Sequence, residues 1–210
     1  MKRQEKIDEL REYLSSLYPT TKVFLEGKED YQFLIAVILS AQSQDKNVNK
    51  VTPILFNKYP SLEALAKADL NDVVSIIRIV GLGNSKAKNI IALSQVLIDK
   101  YQGLIPSSRE ELETLPGVGH KTAGVFLAER RGEEFIPVDT HIMRISSRLG
   151  ITKKNESPDK VEEVLENGFK GESMINFHRQ MIFFGRNICL ASTKRKCEEC
   201  PFSFCKDRKI

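Results

Sequence analysis

Apolar residues recur along this chain at three- and four-residue spacing, as in Ile7, Leu10, Leu14 and Leu17 and again in Val161, Val164 and Leu165. That period is the signature of amphipathic helices, and strand-like alternation is hard to find. Start signals match it. Ser61 precedes Leu62-Glu63-Ala64-Leu65, Ser108 stands three residues before Glu111 as in a capping box, and Ser157-Pro158 fits an N-cap with proline at the first helical position. Gly and Pro separate these units at Pro60, Gly81, Gly103–Pro106, Pro116, Gly132, Gly150 and Gly168–Gly171. Phe33–Leu39 is apolar on every side; the Asp30 start and the Ser40-Ala41-Gln42 continuation predict a buried central helix. The expected fold class is all-α.

One internal echo stands out. Ile79-Val80-Gly81-Leu82-Gly83-Asn84-Ser85-Lys86-Ala87 aligns with Leu115-Pro116-Gly117-Val118-Gly119-His120-Lys121-Thr122-Ala123. Paired glycines, the apolar residue between them and the alanine four beyond predict one helix-to-helix turn used twice. In the second copy Pro116 fixes φ while Gly117 and Gly119 permit a tight turn and leave backbone N–H groups uncovered at a helix start. Such a start is a ready anion site where a DNA phosphate could sit, although on this turn alone a helix-to-helix connection with no ligand is the plainer reading.

Composition narrows the class only slightly. Across 210 residues, 41% are hydrophobic and 29% charged, and no apolar run reaches the length of a membrane span. The Met1-Lys2-Arg3-Gln4-Glu5 start leads into a charged amphipathic stretch, not a secretory leader. An intracellular location is expected, cytoplasm or nucleoid in a prokaryote, with no membrane partner. The net charge is +4, and residues 186–210 hold seven Lys/Arg against three Asp/Glu, a surplus equal to that of the whole chain. All four cysteines, Cys189, Cys197, Cys200 and Cys205, also fall there. Such a cluster favours a metal site over disulfides in an intracellular chain. Four thiolates with one Cys-x-x-Cys pair serve zinc or a four-iron–four-sulfur (4Fe-4S) cluster; one close pair and two singles lean towards iron–sulfur.

Leu115-Pro116-Gly117-Val118-Gly119-His120-Lys121-Thr122-Ala123 resembles the helix–hairpin–helix of the endonuclease III family of DNA glycosylases. Val138-Asp139-Thr140-His141-Ile142-Met143-Arg144, Ile38-Leu39-Ser40-Ala41-Gln42, Gly81–Ala87 and the terminal cysteines are similar to further blocks of that family, in order, over essentially the whole chain. The resemblance implies a two-lobed fold: a helical barrel lobe over 22–134, and a discontinuous lobe of 1–21 with 135–210 that holds a 4Fe-4S cluster on the loop 189–205. It also implies a bifunctional glycosylase/AP lyase acting as a monomer on double-stranded DNA with a damaged base or abasic site, removing oxidised pyrimidines and nicking the strand. A non-catalytic or zinc-stabilised helix–hairpin–helix DNA-binding protein is the alternative.

Residue by residue, the resemblance makes Lys121 the nucleophile that forms a Schiff base at the sugar C1′. A lysine is ordinarily a solvated charge, and at its usual pKa only about one in 2500 is neutral at pH 7. The positive end of a helix disfavours its ammonium, and partial burial would push the same way. Asp139, by pattern an N-cap, becomes a carboxylate that stabilises positive charge on the sugar; a cap keeps it ionised, so both roles are compatible. His141 reads as structural or phosphate-facing, and Asp45 as a supporting polar group. An enzyme that reaches C1′ must extrude the nucleotide. Gln42 and Leu82 match positions that fill the gap, although a core contact is the plain reading of Leu82. Gly117, Gly119, His120 and the basic run Lys194-Arg195-Lys196 are the expected phosphate contacts.

The sequence departs from the family at its cysteine intervals, which are seven, two and four residues instead of the usual six, two and five, over an unchanged span. Gly124 and His120 also differ from common family residues, and both bear on substrate range more than on the reaction.

Overall fold

The computed structural model describes residues 1–209, and residue 210, the last of the expected second lobe, lies outside them. Eleven α-helices and one short 3₁₀ turn make up the described chain: α1 (Arg3–Leu17), α2 (Asp30–Ser40), α3 (Asp45–Lys58), α4 (Leu62–Ala66), α5 (Leu70–Ile77), the 3₁₀ turn Arg78–Val80, α6 (Gly83–Tyr101), α7 (Arg109–Glu113), α8 (His120–Arg130), α9 (Thr140–Arg148), α10 (Pro158–Gly168) and α11 (Met174–Asn187). No strand occurs among the described residues. The chain divides into two compact units, Val23–Glu133 and Met1–Lys22 with the segment from Glu134 onward.

In the first unit α2 packs against α3, α6 and α8. All seven residues Phe33–Leu39 are buried, which an isolated amphipathic helix would not allow. The helix ends at Ser40, short of the expected continuation. Ala41 is its C-cap and Gln42 turns left-handed at φ 54°. Ser61 and Ser108 cap α4 and α7 by accepting from Ala64 N and Glu111 N. The Ser108 hydroxyl also donates to the Glu111 carboxylate.

In the second unit α1 packs on α10 and α11, and α9 on α11. Ile7, Leu10 and Leu14 are buried with Val161 and Leu165, whereas Leu17, the end of the same apolar row, is exposed. Ser157 caps α10 with Pro158 at its first position. Gly185 lets α11 approach α9: a Cβ there would stand 2.7 Å from Nδ1 of His141.

Candidate active site

The hairpin of α7 and α8 presents the expected nucleophile. Gly117 sits at φ 79°, and a side chain there would meet Asn89 at 2.9 Å, so the turn requires glycine on both counts. Gly119 is the N-cap of α8 and offers no side-chain oxygen, leaving the first N–H groups of the helix to other partners. Lys121, second in α8, is exposed, so burial does not add to the effect of the helix end. His120 is exposed with both ring nitrogens engaged, Nδ1 to Glu113 at 3.0 Å and Nε2 to Arg109 at 3.4 Å. Because Arg109 only donates, the ring accepts at Nε2 and donates from Nδ1.

The echo is only half a repeat. Gly81 and Gly117 both take positive φ, and Ala87 and Ala123 are both fully buried. The first copy, however, has Leu82 left-handed at φ 52° and starts its helix at Gly83, while the second starts one residue later, at His120. Leu82 is 58% exposed whereas its counterpart Val118 is 5% exposed. The core contact read for Leu82 therefore belongs to Val118 alone.

Gln42 and Leu82 are both exposed and both left-handed, a conformation that costs a non-glycine residue about 1–2 kcal/mol. Lys86 lies beneath them. It is 4% exposed, and its ammonium donates to the carbonyls of Leu39 at 2.8 Å, Ala41 at 2.7 Å and Val80 at 2.9 Å. Burial pushes its pKa down, yet three carbonyl acceptors match the three hydrogens of an ammonium, so the geometry selects the charged form. The sequence held a signal for this lysine: Lys86, Ile90, Leu93 and Leu97 fall on one face of α6, all buried. Asp45 opens α3 in the same unit, three residues after Gln42, where a carboxylate favours the helix dipole.

In the second unit Asp139 is the N-cap of α9, with Oδ1 accepting from His141 N at 2.8 Å and Ile142 N at 2.9 Å. Both bonds fall on one oxygen, so capping does not consume Oδ2. His141 accepts at Nδ1 from Arg144 at 3.0 Å. Burial lowers its pKa first, and Arg144 and Arg186 add to this against an opposing pull from Asp139. The ring is thus kept neutral, which favours the structural reading of His141 over phosphate neutralisation.

All four cysteines line one cavity, with Arg148, Arg195, Phe184, Ile188 and Asp207 among its walls. Burial pushes the thiols of Cys200 and Cys205 up, and neighbouring cysteines add to it. Arg148 donates to Sγ of Cys189 at 3.3 Å and to the Leu190 carbonyl at 2.7 Å. Arg195, expected beside Lys194 and Lys196 on the outer face, is instead turned inward. Its side chain is 7% exposed and pairs with Asp207, which also takes Arg148. Lys194 is exposed, and Lys196 is exposed and paired with Glu199 at 3.1 Å. Sequence reasoning missed Lys86, Arg144, Arg148 and Asp207.

Residues 35–170 match the model of the HhH-GPD superfamily of base excision DNA repair proteins. Endonuclease III of Synechocystis sp. is 39% identical over 96% of this chain and 91% of that protein. The chain belongs to the endonuclease III family. It is accordingly a bifunctional DNA glycosylase/AP lyase of base excision repair, and the non-catalytic alternative falls away. A non-covalent endonuclease III–DNA complex superposes with a TM-score of 0.92 at 39% identity, covering 98% of this chain and 96% of that one. A trapped endonuclease III–DNA covalent intermediate superposes at 0.90, also at 39% identity, covering 96% and 94%.

Proposed function

We propose that the chain excises oxidised pyrimidines from duplex DNA through a Schiff base on Lys121 and then nicks the strand. The observation that carries this reading is the exposed Lys121 in the first turn of α8, behind a hairpin whose N-terminal N–H groups have no side-chain cap. A related endonuclease III has been trapped as a covalent intermediate with DNA. In the neutral form, the Lys121 amine attacks C1′ and the damaged base departs with the glycosidic electron pair. Ring opening gives the imine. Loss of a proton from C2′ then expels the 3′ phosphate by β-elimination, and water releases the lysine. Asp139 stabilises the positive charge that develops on the sugar and accepts or returns protons from its oxygen not engaged in the cap. Gln42 and Leu82 fill the gap left by the extruded nucleotide, while the hairpin N–H groups and Lys194 hold phosphates.

Cys189, Cys197, Cys200 and Cys205 would hold a 4Fe-4S cluster. The donors fit: four buried or half-buried thiols face one cavity beside two guanidiniums that offset thiolate charge. No group of three or more His, Cys, Asp or Glu among the described residues is gathered as one metal ion needs. When bound, the cluster supplies a structural fastening for the loop that bears Lys194 and Lys196. Among the described residues no helix is long and apolar enough to cross a membrane. A monomer suffices for every role assigned here.

The test is borohydride trapping on a duplex with one abasic site, comparing the protein with its Lys121→Gln variant. A covalent adduct from the unsubstituted protein alone is expected. An adduct that survives the substitution would move the nucleophile elsewhere, and no adduct from either would make the chain a water-using glycosylase.

A further inference from the structure

We propose that Lys86 is a positioning residue for damage recognition: its ammonium ties the loop bearing Gln42 to the loop bearing Leu82, so the two side chains meet a duplex as one rigid unit. The inference rests on the reading that Gln42 and Leu82 enter the gap left by an extruded nucleotide.

The geometry is specific. Leu39 and Ala41, whose carbonyls accept two of the three bonds, end α2 immediately before Gln42; Val80, which accepts the third, ends the 3₁₀ turn two residues before Leu82. These carbonyls belong to helix ends, where no intrahelical donor is left for them, so the lysine supplies donors that would otherwise come from water. Lys86 itself is in the first turn of α6, one helical step from Leu82, whose carbonyl accepts from Lys86 N at 3.0 Å. One residue therefore holds the Leu82 loop through its backbone and both loops through its side chain.

A plain core role does not account for this arrangement. The neighbours of Lys86 on the buried face of α6 are Ala87, Ile90 and Leu93, and an apolar side chain in its place would avoid desolvating a charge. The carbonyls that the ammonium joins belong to the buried Leu39 and Val80 and the exposed Ala41, and each lies within three residues of an exposed tip with a non-glycine residue in the left-handed region. A leucine driven between stacked bases is pushed back by the stack, and a loosely mounted loop would fold away instead of parting the bases. Fixing both tips before binding removes that ordering cost from the encounter.

The experiment uses full-length, cluster-loaded protein and a duplex in which a tetrahydrofuran abasic analogue faces 2-aminopurine, whose emission rises when it unstacks. The unsubstituted protein is expected to raise the emission, and Gln42→Ala/Leu82→Ala to abolish the rise. Lys86→Met is expected to abolish it as well, and to slow excision from a lesion duplex about tenfold to a hundredfold, as misplacement of supporting groups does. Affinity for undamaged duplex should stay within about twofold, since phosphate contacts are untouched. Adding Lys86→Met to the double variant should cause no further loss, because the lysine acts through those two side chains. If Lys86→Met does not fold, Lys86→Gln, which keeps an amide donor on a shorter stem, is read in the same way. A full emission rise in the Lys86 variant, with none in the double variant, would overturn the tie while leaving the gap-filling reading intact. A full rise in the double variant would overturn both.

Discussion

Arg195 donates to Asp207 at 2.5 Å, joining the loop between the first two cysteines to the segment after the last. The same carboxylate takes Nε of Arg148 at 3.2 Å, and Arg148 in turn donates to Sγ of Cys189. The cysteine loop is thereby closed at both ends by one acid between two guanidiniums. Its basic run is consequently not three equivalent phosphate grips. Lys194 and Lys196 face outward, while Arg195 maintains the mount.

Asp207→Asn is expected to leave the fold intact and loosen that mount. The carboxylate is half exposed, so solvent screening limits its contribution. Visible absorbance of the proposed 4Fe-4S cluster should decay about fivefold faster under chelator, the equivalent of the ~1 kcal/mol upper end for an exposed pair. Trypsin should also cut sooner at Lys194 or Lys196. Decay at the unsubstituted rate would show that the loop is held by the cluster alone.

Asp139 has two roles that one pair of variants separates. Asn is as good an N-cap as Asp, so Asp139→Asn should keep α9 and change stability by only a few tenths of a kcal/mol, whereas Asp139→Ala should lose about 1 kcal/mol. Both should slow base removal by about a hundredfold or more if the carboxylate takes part in the chemistry. Single-turnover excision set beside urea unfolding checks this. Near-normal turnover by Asp139→Asn would reduce Asp139 to its cap.

His141 predicts a pH dependence of stability. Its folded pKa is depressed, chiefly by burial, with Arg144 and Arg186 contributing. Above the ordinary histidine value of about 6.5 both states are neutral and the stability is fully present. As pH falls below that value the unfolded chain binds a proton that the folded ring refuses, so stability is lost until the folded pKa is passed. The urea midpoint should drop on acidification through this window, less so in His141→Gln, and the imidazole nitrogen resonances should stay those of a neutral ring. A ring that protonates at its ordinary pH in the folded protein would contradict this.

Much of the fold was legible because it is local. Ser61, Ser108, Ser157 and Asp139 each declare a helix start within three residues, and each is found capping. The hairpin was legible for the same reason, since its own turn demands a positive φ at Gly117, whereas the clearance of Gly117 from Asn89, a residue of α6, was not. Directions of charged side chains were not. Arg195 and its lysine neighbours look alike in sequence, and only Asp207, twelve residues on, turns one of them inward. Lys86 sat on a readable apolar face, but its three acceptors lie up to 47 residues away. The echo misled because equal spacing does not fix backbone handedness, which at Leu82 differs from that at Val118.

That difference yields a final prediction, in which two matched positions respond oppositely. Val118 is 5% exposed, and Val118→Ala should lose stability, by about 1–2 kcal/mol, from lost burial and the space left behind. Leu82 is 58% exposed and buries little that truncation could forfeit. Leu82→Gly removes a left-handed strain of about 1–2 kcal/mol. It also gives the unfolded chain more freedom, which offsets the gain by about 0.4–1 kcal/mol. The variant should therefore be as stable as the parent or slightly more so. Excision from duplex DNA should nonetheless fall, because no side chain remains to part the bases. Thermal unfolding and single-turnover excision, measured on both variants, decide the matter. A Leu82→Gly protein that is clearly less stable would mean that Leu82 has a packing role, and one with full excision would mean that the strained, exposed leucine has no part in opening the duplex. Stability sacrificed at Leu82 and kept at Val118 is what distinguishes a tip shaped for DNA from a turn shaped for the core.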